Sequence, residues 1–308
     1  MAALRNKIDF ALVFTATKAN PNGDPLDGNR PRTDMNGFGE VSDVCLKRKI
    51  RNRVLDMTGD IFVQSDDNRI DEYRSLKNRA MYGCKALSEA SKMGSRVEFA
   101  KIACETWFDV RAFGQVFAFA EAKKKKKGPE AEDDAGEGEN SDAVSIGIRG
   151  PVSIQMAVSA EPVSVQTMQI TKSVNLETGA DPDKRGKDTM GTKYFVDFGV
   201  YTTFGSINVK QAEKTGFSEE DAETLKEALR TLFVNDETAA RPAGSMEVVK
   251  LIWWKHNCEI GQYSPAKVHH LLHIVKKPEV QDPHSIDDYE ITVDTLPGLE
   301  FEDVRIDG

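Results

Sequence analysis

The sequence predicts an α+β fold built on a ferredoxin-like core. Three observations carry this. Apolar, β-type runs stand at 8–17, 144–160, 194–209 and 246–256. Two capped amphipathic helices open at Ser42 and Ser218. The order of these elements is strand, helix, strand, strand, helix, strand, the βαββαβ pattern.

Each element has a local reason. Ile8 to Thr17, IDFALVFTAT, alternates imperfectly, as a buried strand does. Residues 19–39 are dense in Asn, Pro, Gly and Asp and read as a long irregular loop. Ser42 caps a helix in which Leu46, Ile50 and Val54 repeat at i, i+4, i+8 toward the core. Lys47 and Arg51 form one flanking row, and Lys49 and Arg53 another, with Arg48 behind. Residues 57–143 form a large insertion, mostly helical until WFDVRAFGQVFAFA at 107–120. It ends in a low-complexity loop at 123–142, a Lys run followed by an acidic run. A strand-like segment, 144–160, is interrupted at Gly150-Pro151. A β-type run follows at 163–174, then a polar excursion at 175–191 that reads as a protruding hairpin or loop. Ser218 and Asp221 make a capping-box start for Leu225, Ala228, Leu229, Leu232 and Phe233. The last segment, 276–308, mixes a strand at Tyr289–Val293 with acidic loop.

The chain has 308 residues, enough for one or two domains. Lys and Arg number 41 against 50 Asp and Glu, a net charge of −9 that argues against a simple basic nucleic-acid coat. The charge is segregated. Residues 130–142 hold seven acids and no base, and 279–308 hold ten acids and one base, which leaves the remainder at +7. No apolar run reaches the ~18 residues of a membrane helix, and Asp9 interrupts the apolar N-terminus, so no secretory signal is expected. Four cysteines without a CxxC pair suit reduced thiols in a cytoplasm.

Several constellations invite a chemical reading. GFGEVS before a basic helix is an anion-binding layout; the same pattern fits a solvated basic face, and a dinucleotide fingerprint is incomplete. Asp24, Asp27, Asp34 and Asp43 could hold a divalent metal, but turn-forming aspartates explain them more simply. His269, His270 and His273, with His256 and Cys258, hint at zinc, yet VHHLLHIV alternates like a strand and sends His269 and His270 to opposite faces. Nucleophilic catalysis finds no motif. Arg111, Gln115, Arg149, Gln169, Thr171 and Lys172 are polar donors within apolar or β-type runs. As a set they could follow a phosphodiester backbone.

Eight segments together resemble one family: NPNGDP (20–25), PRTD (31–34), VSDVCLKRKIRN (41–52), DVRAFGQVF (109–117), GIRGPVSIQMA (147–157), PVSVQTMQITKSVN (162–175), TGFSEEDAETLKEAL (215–229) and SMEVVKLIWWKH (245–256). The chain resembles the Cas-seven family of CRISPR-associated proteins, specifically the Csd-type backbone subunit of type I-C Cascade. The resemblance implies an RRM-like palm over 1–56 and 144–275, a finger-like insertion over 57–143, and a thumb at about 173–192. It implies copies that polymerise on CRISPR RNA as a filament and present guide bases to target DNA, with specificity delegated to base pairing. The implied partners are a Cas-five subunit, large and small subunits, and a helicase–nuclease recruited to the complex. No cofactor or metal is implied, and the chain is expected not to be an enzyme. By motif, the implied RNA-contacting residues are Arg32, Lys47, Lys49, Arg51, Arg53, Arg111, Gln115, Arg149, Gln169, Thr171 and Lys172, with Met190 as a base-wedging side chain. The alternative is a metal-dependent ribonuclease of the related type III kind using the early-loop aspartates.

Overall fold

The computed structural model describes residues 2–119, 144–171 and 190–304. The Lys123–Lys127 run, the acidic loop, Lys172 and nearly all of the expected thumb lie outside the described residues.

In chain order, the first strand is β1 (Ile8–Ala19), followed by β2 (Gly23–Asp24), β3 (Arg30–Pro31) and β4 (Phe38–Val41). Helices α1 (Asp43–Thr58), α2 (Leu76–Tyr82), α3 (Lys85–Lys92), α4 (Arg96–Thr106) and α5 (Phe108–Phe113) come next. Strands β5 (Gly114–Phe119), β6 (Val144–Arg149), β7 (Val152–Ile154), β8 (Ala157–Pro162), β9 (Val165–Thr171) and β10 (Met190–Ile207) precede α6 (Val209–Thr215) and α7 (Glu219–Arg230). The described chain closes with β11 (Met246–Lys255), α8 (Pro265–His269), β12 (Leu272–Lys276), β13 (Tyr289–Val293) and β14 (Glu300–Val304).

The fold is mixed α+β around one large antiparallel sheet in the order β14-β11-β1-β10-β8-β4, with β7 and β9 also pairing along β10. Central strand β1 is buried on both faces, which is why its alternation looked imperfect. Ile8, Phe10, Leu12 and Phe14 point into one core with α1, α6 and α7. Ala11 and Val13 point into a second core, closed by Val268 of α8, Leu271 in the turn after it, Leu272 of β12 and Tyr289 of β13. The caps agree with the sequence: Ser42 accepts the Cys45 N–H, and Ser218 and Asp221 complete a reciprocal capping box. Leu46, Ile50 and Val54 are all buried.

The insertion has its own core, where Phe62, Phe99, Trp107 and Phe117 pack together. Ile146 and Ile148 of β6 back this core, so its packing extends past residue 143. Two glycines let the ribbon β5–β6 cross the chain closely. A Cβ at Gly114 would stand 2.2 Å from the Ile148 carbonyl oxygen, and one at Gly150 would stand 2.2 Å from that of Ala112.

One expectation changes. The 268–270 stretch is not strand: Val268 and His269 end α8, and the strand starts at Leu272. Ser264 caps that helix and Pro265 opens it, a local signal that outweighs the alternation downstream. The acidic C-terminal segment adds a strand to the large sheet, where β14 pairs along β11 from Leu251↔Val304 to Lys255↔Glu300. Its acids are held by Lys226–Glu302 at 2.9 Å and Lys250–Asp303 at 2.6 Å.

Candidate nucleic-acid interface

The cations of α1 separate into two groups. Lys47 and Arg48 stay at the surface, in ion pairs with Asp43 (3.0 Å) and Asp67 (3.5 Å). The other three turn inward. Lys49 is buried against Asp236 and lies 5.5 Å from the Phe233 ring centroid. Burial pushes its ammonium below the ordinary lysine value, and the Asp236 carboxylate only partly offsets this. Arg51 Nε donates to Asp109 at 3.0 Å and its guanidinium lies over Phe113. Arg53 donates to the Thr231 hydroxyl at 2.7 Å. Arg111 on α5 behaves the same way, gripping both carboxylate oxygens of Asp221 at 2.7–3.1 Å. Asp221 is thereby shared between the α7 cap and α5.

The remaining expected contacts lie on the early loop, the ribbon and the hairpin. Arg32 pairs with Asp24 at 3.2 Å and is partly exposed. Arg30, which the motif reading passed over, is exposed and sits 5.4 Å from the Tyr194 ring centroid on β10. Its signal was available, since it directly precedes the PRTD motif. Gln115 sits on β5, and Arg149 is exposed at the end of β6 with no ion pair among the described residues. The register of β9 and β10 sets Thr171 opposite Met190 and Gln169 opposite Thr192. Alternation therefore places Gln169, Thr171, Met190, Thr192 and Tyr194 on one hairpin face. Gln169, Thr171 and Met190 are exposed, and Met190 is 62% accessible. Arg30 meets this same face through Tyr194. An exposed apolar side chain beside polar donors and a guanidinium can stack on a base and hold its backbone.

The early-loop aspartates make turns. Asp24 accepts the Leu26 N–H at 3.0 Å, and Asp34 accepts those of Asn36 and Phe38 at 2.8 Å each. No group of three metal-ligating side chains occurs among the described residues. His256 and His269 instead meet Asp9. His256 Nε2 lies 2.8 Å from the Asp9 carboxylate, while its Nδ1 accepts the Gln262 N–H at 3.0 Å. His269 Nε2 lies 4.0 Å from Asp9 and 3.3 Å from the Gly205 carbonyl oxygen.

The class defined by these features is an α+β protein with a large antiparallel sheet, an inserted helical unit and a polar hairpin. The family model "CRISPR-associated protein Cas7" matches residues 6–294, and the chain belongs to that family. A Cas7 protein of Haloferax volcanii is 24% identical over 270 residues, covering 87% of this chain and 75% of the relative. Among solved structures, a chain of a "CRISPR RNA-guided surveillance complex, pre-nicking" is similar at TM-score 0.43 and 14% identity, covering 80% of this chain and 78% of that one. A chain of a second CRISPR RNA-guided surveillance complex gives TM-score 0.39 and 17% identity, covering 80% and 68%.

Proposed function

We propose that the chain is the RNA-binding backbone subunit of a type I-C, Csd-type Cascade-like surveillance complex. The family match over residues 6–294 carries this reading. Several copies would line CRISPR RNA as a filament in the cytoplasm, alongside Cas-five, large and small subunits, and a helicase–nuclease would be recruited. The palm would be ferredoxin-like. Supporting it, β11, β1, β10 and β7 lie side by side in that order, with α1 and α7 on one face. The RNA would run past Arg30, Arg32, Lys47, Arg48, Gln115 and Arg149 to the hairpin face of Gln169, Thr171 and Met190; Lys172, next in sequence, would be a further contact. Lys49, Arg51, Arg53 and Arg111 would act as positioning residues, since each is engaged inside the fold. The subunit would hold RNA without cutting it.

Salt-titrated guide binding tests this. Arg32→Ala with Lys47→Ala removes two phosphate contacts and lowers the log–log salt slope by about 1.4, at ~0.7 per contact on a single strand. Unchanged slope and affinity would sink the groove assignment. In the same samples, complementary RNA with Mg²⁺ stays intact; regularly spaced cuts abolished by Asp34→Ala would overturn the non-catalytic role.

A further inference from the structure

The early loop and the β9–β10 hairpin meet where the hairpin leaves the sheet. Strand β1 accompanies β10 only as far as Ala19↔Val196. From Val196 outward, β10 continues with β9, up to Thr171↔Met190. Tyr194 is the first residue past that departure point on the face that carries Gln169, Thr171 and Met190.

Two consecutive left-handed residues bring the loop back to this place. Gly28 at φ 56° and Asn29 at φ 62° reverse the chain, and β3 then pairs with β2 at Asp24↔Arg30 and Gly23↔Pro31. Buried Asn20 holds the turn by donating its amide to the Asn29 carbonyl at 2.6 Å. A Cβ at Gly28 would stand 3.8 Å from the Tyr194 ring. Arg30 lays its guanidinium 5.4 Å from the centroid of that ring, inside the range of a cation–π contact.

Arg30 is exposed and has no ion pair among the described residues, whereas Arg32 is tethered by Asp24 at 3.2 Å. The two arginines lie on one side of an extended segment, about 7 Å apart along it, with Pro31 buried on the other side. An untethered arginine loses side-chain freedom when it takes a phosphate. A ring that already holds its planar group removes part of that cost.

We propose that Tyr194 is a positioning residue for the guide strand. Its ring fixes the Arg30 guanidinium in line with Arg32 and braces the hairpin against the early loop. This role rests on the subunit holding guide RNA, as proposed above, and adds a coupling between one aromatic ring and one phosphate contact. The Tyr194 hydroxyl makes no hydrogen bond among the described residues, so the ring alone carries the effect.

The test measures guide-RNA affinity and its salt dependence for the full chain carrying Arg30→Ala, Tyr194→Leu, Tyr194→Phe, or Arg30→Ala with Tyr194→Leu. Arg30→Ala should lower the log–log salt slope by about 0.7, one phosphate contact on a single strand. Tyr194→Leu should weaken binding about threefold, while Tyr194→Phe binds like the parent. Added to Arg30→Ala, Tyr194→Leu should cost nothing more, because its effect passes through the missing guanidinium. Far-ultraviolet circular dichroism and the unfolding midpoint verify that Tyr194→Leu folds. Should it fail, Arg30→Lys is read in its place: it keeps the charge and loses the planar stack, so binding should weaken about threefold with the salt slope retained. Parent-like binding of Tyr194→Leu, or of Arg30→Lys in its place, would overturn the proposal. A further threefold loss on top of Arg30→Ala would also overturn it, by making Tyr194 a contact in its own right. An equal loss in Tyr194→Phe and Tyr194→Leu would assign the effect to the hydroxyl and overturn it too. If Arg32→Ala with Lys47→Ala also leaves binding unchanged, the guide-binding reading falls together with this one. If that pair weakens binding while Arg30 and Tyr194 do not couple, only the positioning role falls.

Discussion

On α1, Lys49, Arg51 and Arg53 all end on groups of the same chain, whereas on the β9–β10 hairpin Gln169, Thr171 and Met190 end in solvent. Both regions read alike in sequence, as polar or cationic side chains beside β-type or helical apolar residues. The difference comes from what packs over them. Helix α1 lies under α7, the 235–241 loop and the insertion, each of which supplies a partner: Thr231, Asp236 and Asp109. Such pairs add little net stability when both members are present, but removing one leaves a buried charge uncompensated. Arg30 reaches only the Tyr194 end of the hairpin face; beyond it, Gln169, Thr171 and Met190 are exposed and remain available to a ligand.

The sharpest way to break this contrast is at Asp109. Its carboxylate accepts Arg51 Nε and the backbone N–H groups of Phe62 and Val63, at 2.7–3.0 Å. It therefore ties α1, α5 and the start of the insertion together. Asp109→Ala should cost about 3–5 kcal/mol, read as a lowered urea midpoint. A loss below ~1 kcal/mol would mean that the α1 cations are not structural. Lys49→Met should cost less, about 1–2 kcal/mol, because Arg241 still pairs with Asp236 at 3.0 Å. Its guide-binding salt slope should match the parent; a flattened slope would return Lys49 to the RNA contact set.

A pH titration extends the comparison to histidines. Burial first holds His269 below its ordinary value of 6.5, with Asp9 pulling the other way. The unfolded chain then takes up a proton before the folded one, so stability is full above about pH 6.5 and falls as pH drops below it. Asp9 itself is pushed up by burial, but hydrogen bonds from His256 and Lys7 together hold it below 3.8. Its contribution is present above that value and is lost as pH falls further. Urea midpoints should therefore decline from pH 7 to 5.5, and His269→Asn should flatten that limb. An identical slope in the variant would place the proton elsewhere.

Much of this architecture was legible because its signals are local. Ser42 and Ser218 announce their helices through side chains three residues from the N–H groups they cap, and Leu46, Ile50 and Val54 name their own buried face. The motif glycines, Gly114 and Gly150, marked a close backbone crossing without saying what crossed. The fate of the cations was not legible, because their partners lie far away in sequence. Arg111 meets Asp221 across 110 residues, and Lys49 meets Asp236 across 187. Charge spacing on one helix cannot report an acid brought in by another element. The same distance hid the role of the acidic tail, where β14 completes the sheet beside β11.

The smallest stability effect belongs to the hairpin. Met190 sits at the start of β10 with 62% of its surface accessible, and its sulfur lies 4.0 Å from the Gln169 amide nitrogen. Met190→Ala removes no buried contact, so the unfolding midpoint should move by no more than about 0.5 kcal/mol. Guide affinity should fall by about 0.3–1.5 kcal/mol if the thioether packs on a base, with the salt slope unchanged because no phosphate contact is lost. Those two quantities separate a stacking role from an electrostatic one. Equal guide affinity in Met190→Ala would remove Met190 from the contact set, and would leave Gln169 and Thr171 on the same face to be tested as backbone donors.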